Sequence, residues 1–92
     1  MAPKPKRIID DKYREFVSRH PCCNCGYPPP SAPHHLITKG AGGGDYYCVH
    51  LCRLGCHVEI HNIGRETFQE IHDINLWKVT TELLIEWIKE IT

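Results

Sequence analysis

Six cysteines occur in a chain of 92 residues, and four of them fall into two close pairs. Cys22-x-x-Cys25-Gly26 has the spacing of a zinc knuckle: a tight turn aims two thiolates at one ion, and the glycine gives that turn its backbone freedom. Cys52-x-x-x-Cys56 is the partner pair, one residue longer than usual, with Gly55 suited to absorb the extra residue. A chain of this size buries roughly 60–65% of its unfolded surface, so its apolar core is marginal and a metal or disulfide staple is expected. The cysteine spacing therefore predicts a structural Zn2+ held by Cys22, Cys25, Cys52 and Cys56. Cys23 and Cys48 are left over, and read as small buried residues. Cys48 also stands four residues before Cys52, so either spare cysteine could displace one of the four. The competing pattern is three disulfides in a secreted protein. No leader-like apolar stretch follows Met1–Arg7, so a cytoplasmic address is expected, where paired cysteines read as metal ligands. No apolar run approaches the roughly 18 residues needed to cross a membrane.

Lys and Arg number eleven, as do Asp and Glu, so the chain is not a polycation that coats nucleic acid indiscriminately. The charge is nevertheless uneven. Residues 1–65 carry nine basic against five acidic side chains, whereas residues 66–92 carry two against six. A polyanion is drawn to the first part and repelled by the second.

Hydropathy places the elements. Met1–Arg7 reads as a disordered basic, Pro-rich tail, and residues 8–92 as one domain. Ile9, Tyr13, Phe16 and Val17 recur at helical spacing, which predicts a helix from Ile8 to Arg19 stopped by Pro21. Ala32–Thr38 and Tyr46–Leu51 read as two strands joined by a Gly-rich loop over Lys39–Gly44. Leu54–Asn62 reads as a helix ended near Gly64, and Glu66–His72 as a further helical turn. Leu76, Trp77, Leu83, Leu84, Trp87, Ile88 and Ile91 form an apolar stripe on a helix over Leu76–Ile91. That stripe either packs on the domain or offers a seam for a homodimer.

The histidines add a second centre. His57-x-x-x-His61 places two imidazoles one turn apart on one helix face, as two ligands of one metal require. His34-His35 lies on the preceding hairpin. Neighbouring strand residues point to opposite faces, so one of the two can complete a three-His site while the other does something else. Three neutral ligands leave coordination positions open, which marks a catalytic centre. The remaining imidazole, with an unperturbed pKa of about 6.5, suits a general base. His20, His50 and His72 read as ordinary surface or polar-core residues.

Taken together, Pro33-His34-His35-Leu36, a Gly-rich loop and Leu51-Cys52-x-x-x-Cys56-His57-x-x-x-His61 resemble the ββα-metal (HNH) endonuclease motif. With Cys22-x-x-Cys25-Gly26 and its lead-in from Tyr13, the chain is similar to the zinc-stapled HNH proteins of phage and prophage genomes. The motif spans about residues 20–63, and its paired His with His-x-x-x-His resembles the colicin DNase form of the site. The resemblance implies an α+β fold: a small ββα-metal core with a zinc knuckle, flanked by an N-terminal helix and the C-terminal amphipathic helix. It implies His34, His57 and His61 as ligands of one catalytic divalent ion (Mg2+, Mn2+, Ni2+ or Zn2+) and His35 as general base. The implied reaction is hydrolysis of DNA phosphodiesters, leaving 5′-phosphate and 3′-hydroxyl ends. The family's middle Asn is absent: Tyr47 falls at its place with Asp45 close by, and either can brace the loop.

Lys39, Arg53 and Arg65 are candidates to hold flanking phosphates, Arg53 also at the scissile one. No helix rich in Arg, Asn and Gln offers base-edge readout, so weak sequence preference and strong salt dependence are expected. The alternative from the same residues is a zinc-stapled nucleic-acid-binding module without chemistry, assembling with phage or recombination proteins.

Overall fold

The computed structural model describes residues 6–92, so the sequence-assigned tail lies mostly outside the described residues. Arg7, placed with that tail by sequence, is tied to Asp45 at 3.2 Å. Four helices surround a two-stranded sheet, giving a small α+β fold: α1 (Asp11–Ser18), β1 (Ala32–His35), β2 (Cys48–Leu51), α2 (Cys56–Ile63), α3 (Arg65–His72) and α4 (Leu76–Ile91). None of the described helices is long and apolar enough to cross a membrane.

Helix α1 begins three residues later than its apolar pattern predicts. Asp10 caps it, its side chain accepting from the Tyr13 N–H, while Ile8 and Ile9 stay outside and exposed. Both strands are also shorter than predicted. Tyr46 and Tyr47 belong to a 3-10 turn, Asp45–Tyr47, and a second such turn covers Lys39–Ala41. The Gly-rich connection is needed at close quarters: a Cβ on Gly43 would lie 1.8 Å from the Ile37 carbonyl oxygen. The segment read as one helical turn is the two-turn α3, separated from α2 only by Gly64 at φ +87°.

The antiparallel pairing sets Ala32 opposite Leu51, His34 opposite Val49 and His35 opposite Cys48. Paired residues share a face and neighbours alternate. One face therefore carries Ala32, His34, Val49 and Leu51; the other carries Pro33, His35, Cys48 and His50. Val49 and Leu51 join Cys52, Cys56, Ile60, Phe68 and Leu76 in one core, against α2, α3 and the start of α4. Cys48 joins Tyr13, Phe16, Val17 and Leu83 in the second core, beneath α1 and α4. There Tyr13 meets Tyr46 and Trp87 edge-on, at centroid distances of 5.0 and 5.6 Å. Thr80 fastens α4 to the sheet, its buried hydroxyl placed between the Tyr46 and Cys48 carbonyls at 3.1 and 3.0 Å. The apolar stripe of α4 divides: Leu76 and Leu83 are buried, whereas Ile88 and Ile91 remain exposed.

Candidate metal centres

Cys22, Cys25, Cys52 and Cys56 come together with their sulfurs all within 4.8 Å of one another. Zn–S bonds of about 2.3 Å in a tetrahedron set sulfurs about 3.8 Å apart, and Cys25 Sγ lies 3.7 Å from Cys52 Sγ. Six free thiols, with no disulfide among the described residues, leave all four as donors for one ion. Local structure aims N–H groups at them. Cys56 N–H donates to Cys52 Sγ at 3.1 Å, and the Asn24 side-chain amide donates to Cys56 Sγ at 3.3 Å. Burial works upward on the Cys22 thiol, but N–H groups of Cys25, Cys52 and Asn24 outweigh it and hold it at about 7. The longer second knuckle is accommodated at Gly55, where a Cβ would sit 3.0 Å from Cys52 Sγ.

The spare cysteines stand apart from this group. Burial pushes the Cys23 thiol up to about 12, and burial with the nearby Asp45 charge does the same to Cys48. What separates them is position: the four sulfurs that converge belong to Cys22, Cys25, Cys52 and Cys56, and neither spare thiol is among them.

Strand alternation sends His34 towards α2, where the His57 and His61 rings lie at centroid distances of 5.2 and 4.9 Å. The two helix imidazoles face each other, with Nε2 atoms 3.1 Å apart. Tetrahedral ligands at about 2.0–2.1 Å from a metal sit about 3.4 Å from each other, and one nitrogen from each of His34, His57 and His61 falls within 4.8 Å of the others. The donor set fits a divalent ion such as zinc or a neighbouring transition metal. Burial, then the charges of His57, His61, His35 and Arg65, hold His34 down at about 4. His57 is lowered by burial, His61 and Arg53. No acidic side chain figures among these influences. Arg65, which also pairs with Glu66 at 3.1 Å, thus acts on His34, and Arg53 acts on His57.

Arg65 is held in place. Its guanidinium donates to the Leu36 carbonyl oxygen and lies over the Trp77 ring at 5.2 Å. Arg53 is exposed on the turn before α2, and Lys39 is exposed in the hairpin loop.

His35 faces the other way. Its Nε2 is 2.9 Å from Asp45 Oδ1, and the Asp45 side chain is 1% exposed. Asp45 also accepts from Asp10 N–H at 2.7 Å and pairs with Arg7 and Arg14 at 3.2 and 3.1 Å. Tyr46 OH donates to Asp10 Oδ2 at 2.6 Å, which extends the network. Burial opposes the Asp45 charge, but these donors and the Arg14 charge outweigh it and lower the carboxyl below its ordinary value of 3.8. His35, Asp45 and Cys48 could formally share a metal, yet the carboxylate oxygens already serve three hydrogen-bond donors and the Arg14 ion pair. Arg7, Asp10, Arg14 and Tyr46 carry no spacing signal that would have marked them in the sequence.

A family described as "Protein of unknown function (DUF968)" matches residues 1–87. The chain belongs to that family. A curated relative, "Uncharacterized protein YdfU" of Escherichia coli (strain K12), is 41% identical over 64 residues, which is 64% of this chain and 18% of the relative. The chain therefore matches less than a fifth of that relative's length. No solved structure gives a significant match. What this DUF968 chain presents for chemistry is the two donor clusters and the charges around them.

Proposed function

We propose that this chain is a metal-dependent endonuclease of the ββα-metal (HNH) type that hydrolyses DNA phosphodiester bonds with weak sequence preference. The observation carrying this reading is the convergence of His34 from the hairpin with His57 and His61 from α2, between Arg53 and Arg65.

In this reading Cys22, Cys25, Cys52 and Cys56 hold a structural Zn2+ that fixes the hairpin's neighbour to the start of α2. His34, His57 and His61 hold the catalytic ion, which when bound supplies Lewis-acid neutralisation of charge developing on the phosphate. The chain's own groups do the rest. Asp45 can only accept, so the His35 proton lies on Nε2 and the lone pair on Nδ1. The base role requires Nδ1, the ring nitrogen that Asp45 leaves free, to reach the attacking water past the edge of the strand, with Asp45 stabilising the imidazolium that forms. Asp45 thereby does the bracing that the family's Asn does elsewhere. Arg65 and Arg53 hold the flanking phosphates, Arg65 already oriented by Leu36 and Trp77. Arginine and metal contacts to the backbone carry no base readout, which is why sequence preference is weak.

The test is nicking of supercoiled plasmid by zinc-loaded protein with Mg2+, Mn2+, Ni2+ or Zn2+ added. Divalent-dependent nicking is expected, lost in both His57→Ala and His35→Ala, with the second site's metal lost only in His57→Ala. Retained DNA binding with no cleavage in any metal would establish the binding module instead.

A further inference from the structure

We propose that the cleft between the Tyr27–Pro30 loop and the Cys52–Cys56 turn binds an unpaired DNA nucleotide, directing this chain to single-stranded segments. The cleft measures about 1040 Å3, at the upper end of the roughly 300–1,000 Å3 of small-ligand pockets. Its walls include Tyr27, Pro28, Pro29, Pro30 and Leu54, with Arg53 on the rim. Tyr27 is 66% exposed and Leu54 94% exposed, so large apolar surfaces stand uncovered beside a cation.

That combination matches one unpaired nucleotide. An aromatic ring and flat proline rings offer stacking surface to any base, and an arginine offers two donors to its phosphate. A duplex base has both faces stacked and offers none to such a wall. The only carboxylate on the wall, Glu59, is paired with His72, which lessens its repulsion of a phosphate. The cysteine end of the cleft fixes the orientation. A tetrathiolate zinc centre carries net negative charge, so a neutral base sits towards it and the phosphate towards Arg53.

Position links the cleft to the histidine centre. Arg53 lines the cleft and stands on the turn that leads into α2, four residues before His57. Cys56 and Glu59 line the cleft from one face of α2, and His57 and His61 lie about 150° further round the helix at 3.6 residues per turn. The claim that the cleft selects where cleavage occurs rests on the nuclease reading; the claim that it binds a nucleotide does not.

Fluorescein-labelled oligo(dT) and a blunt duplex of equal length, titrated into zinc-loaded protein without other divalent ions, separate the two claims. A stacked base contributes about 1–3 kcal/mol, so Tyr27→Ala is expected to weaken oligo(dT) binding roughly 5- to 150-fold. Duplex affinity, zinc content and melting are expected to stay unchanged. Equal oligo(dT) affinity for wild type and Tyr27→Ala would overturn the proposal, as would an equal loss on both DNAs. If Tyr27-dependent binding holds but plasmid nicking is never seen, the nucleotide site stands and the nuclease reading falls. Nicking without Tyr27-dependent binding has the opposite meaning.

Discussion

His35 and Asp45 are joined through Nε2 and Oδ1 at 2.9 Å, on the sheet face opposite the one that carries His34. Two adjacent residues of one strand thus serve two environments, one open and cationic, the other buried and ion-paired. Removing the Asp45 charge leaves Arg7, Arg14 and His35 facing a neutral, buried group. Breaking such a buried set costs about 3–5 kcal/mol, so Asp45→Asn is expected to lower chemical-denaturation stability by about that much, less what the amide oxygen still accepts. In the nicking assay the same variant should lose at least tenfold in rate, because His35 then lacks the group that fixes its tautomer. Wild-type stability in Asp45→Asn would show that the network contributes nothing.

The acid response follows from the same residues. Asp10 and Asp45 both have carboxyls lowered from the ordinary 3.8, Asp10 chiefly by the Tyr46 hydroxyl and Asp45 by the donors around it against burial. A depressed carboxyl binds its proton later in the folded chain than in the unfolded one. Its contribution is therefore complete above 3.8 and is lost as pH falls through the lower folded values. The carboxyl part of the stability gap between wild type and Asp45→Asn should shrink as pH falls below 3.8. A gap that widens on acidification would reverse the assigned sign.

The parts legible in the sequence are those that obey a period or a spacing. Helix α4 runs from Leu76 to Ile91 as its stripe dictates, and the two cysteine pairs meet as their spacings require. Strand alternation alone separates His34 from His35. The rest depends on single capping or long-range events without periodicity. Ile8 and Ile9 extend the apolar pattern of α1, but the Asp10 cap starts the helix after them and leaves them 55% and 63% exposed. The four partners of Asp45, three hydrogen-bond donors and the Arg14 ion pair, come from positions 7, 10, 14 and 35, and no local rule joins them. The cleft beside the knuckle arises where a proline loop meets the turn before α2, a tertiary coincidence that neither segment announces.

Zinc at the four cysteines makes its binding energy folding energy, about 10–16 kcal/mol in zinc-finger peptides. That exceeds what a core of this size supplies by itself. Cys25→Ala, at an exposed ligand, is therefore expected to abolish the cooperative melt as chelation does, although it removes almost no packing. Cys48→Ala, fully buried but outside the cluster, should keep one tightly held zinc per chain and melt cooperatively, with a loss of about 1–2 kcal/mol for the small void. Metal analysis after exhaustive dialysis distinguishes the two. A cooperative, chelator-insensitive melt in Cys25→Ala would remove the structural role from these thiols.

Arg65 separates charge from placement. Its guanidinium donates to the Leu36 carbonyl oxygen, lies over Trp77 at 5.2 Å and depresses His34. Loss of an exposed cation–π contact costs about 0.5–1 kcal/mol, so Arg65→Gln should fold with only slightly reduced stability. Its binding to duplex DNA should weaken across sequences, and the slope of log affinity against log salt should fall by about 1, as for one lost phosphate contact. Arg65→Lys keeps the charge but lacks the planar fork that reaches Leu36 and stacks on Trp77. It should restore the salt slope while recovering only part of the nicking rate, since an ammonium on a flexible stem is not fixed beside His34. Equal nicking in Arg65→Lys and wild type would mean that charge alone suffices there. An unchanged salt slope in Arg65→Gln would remove Arg65 from the DNA interface.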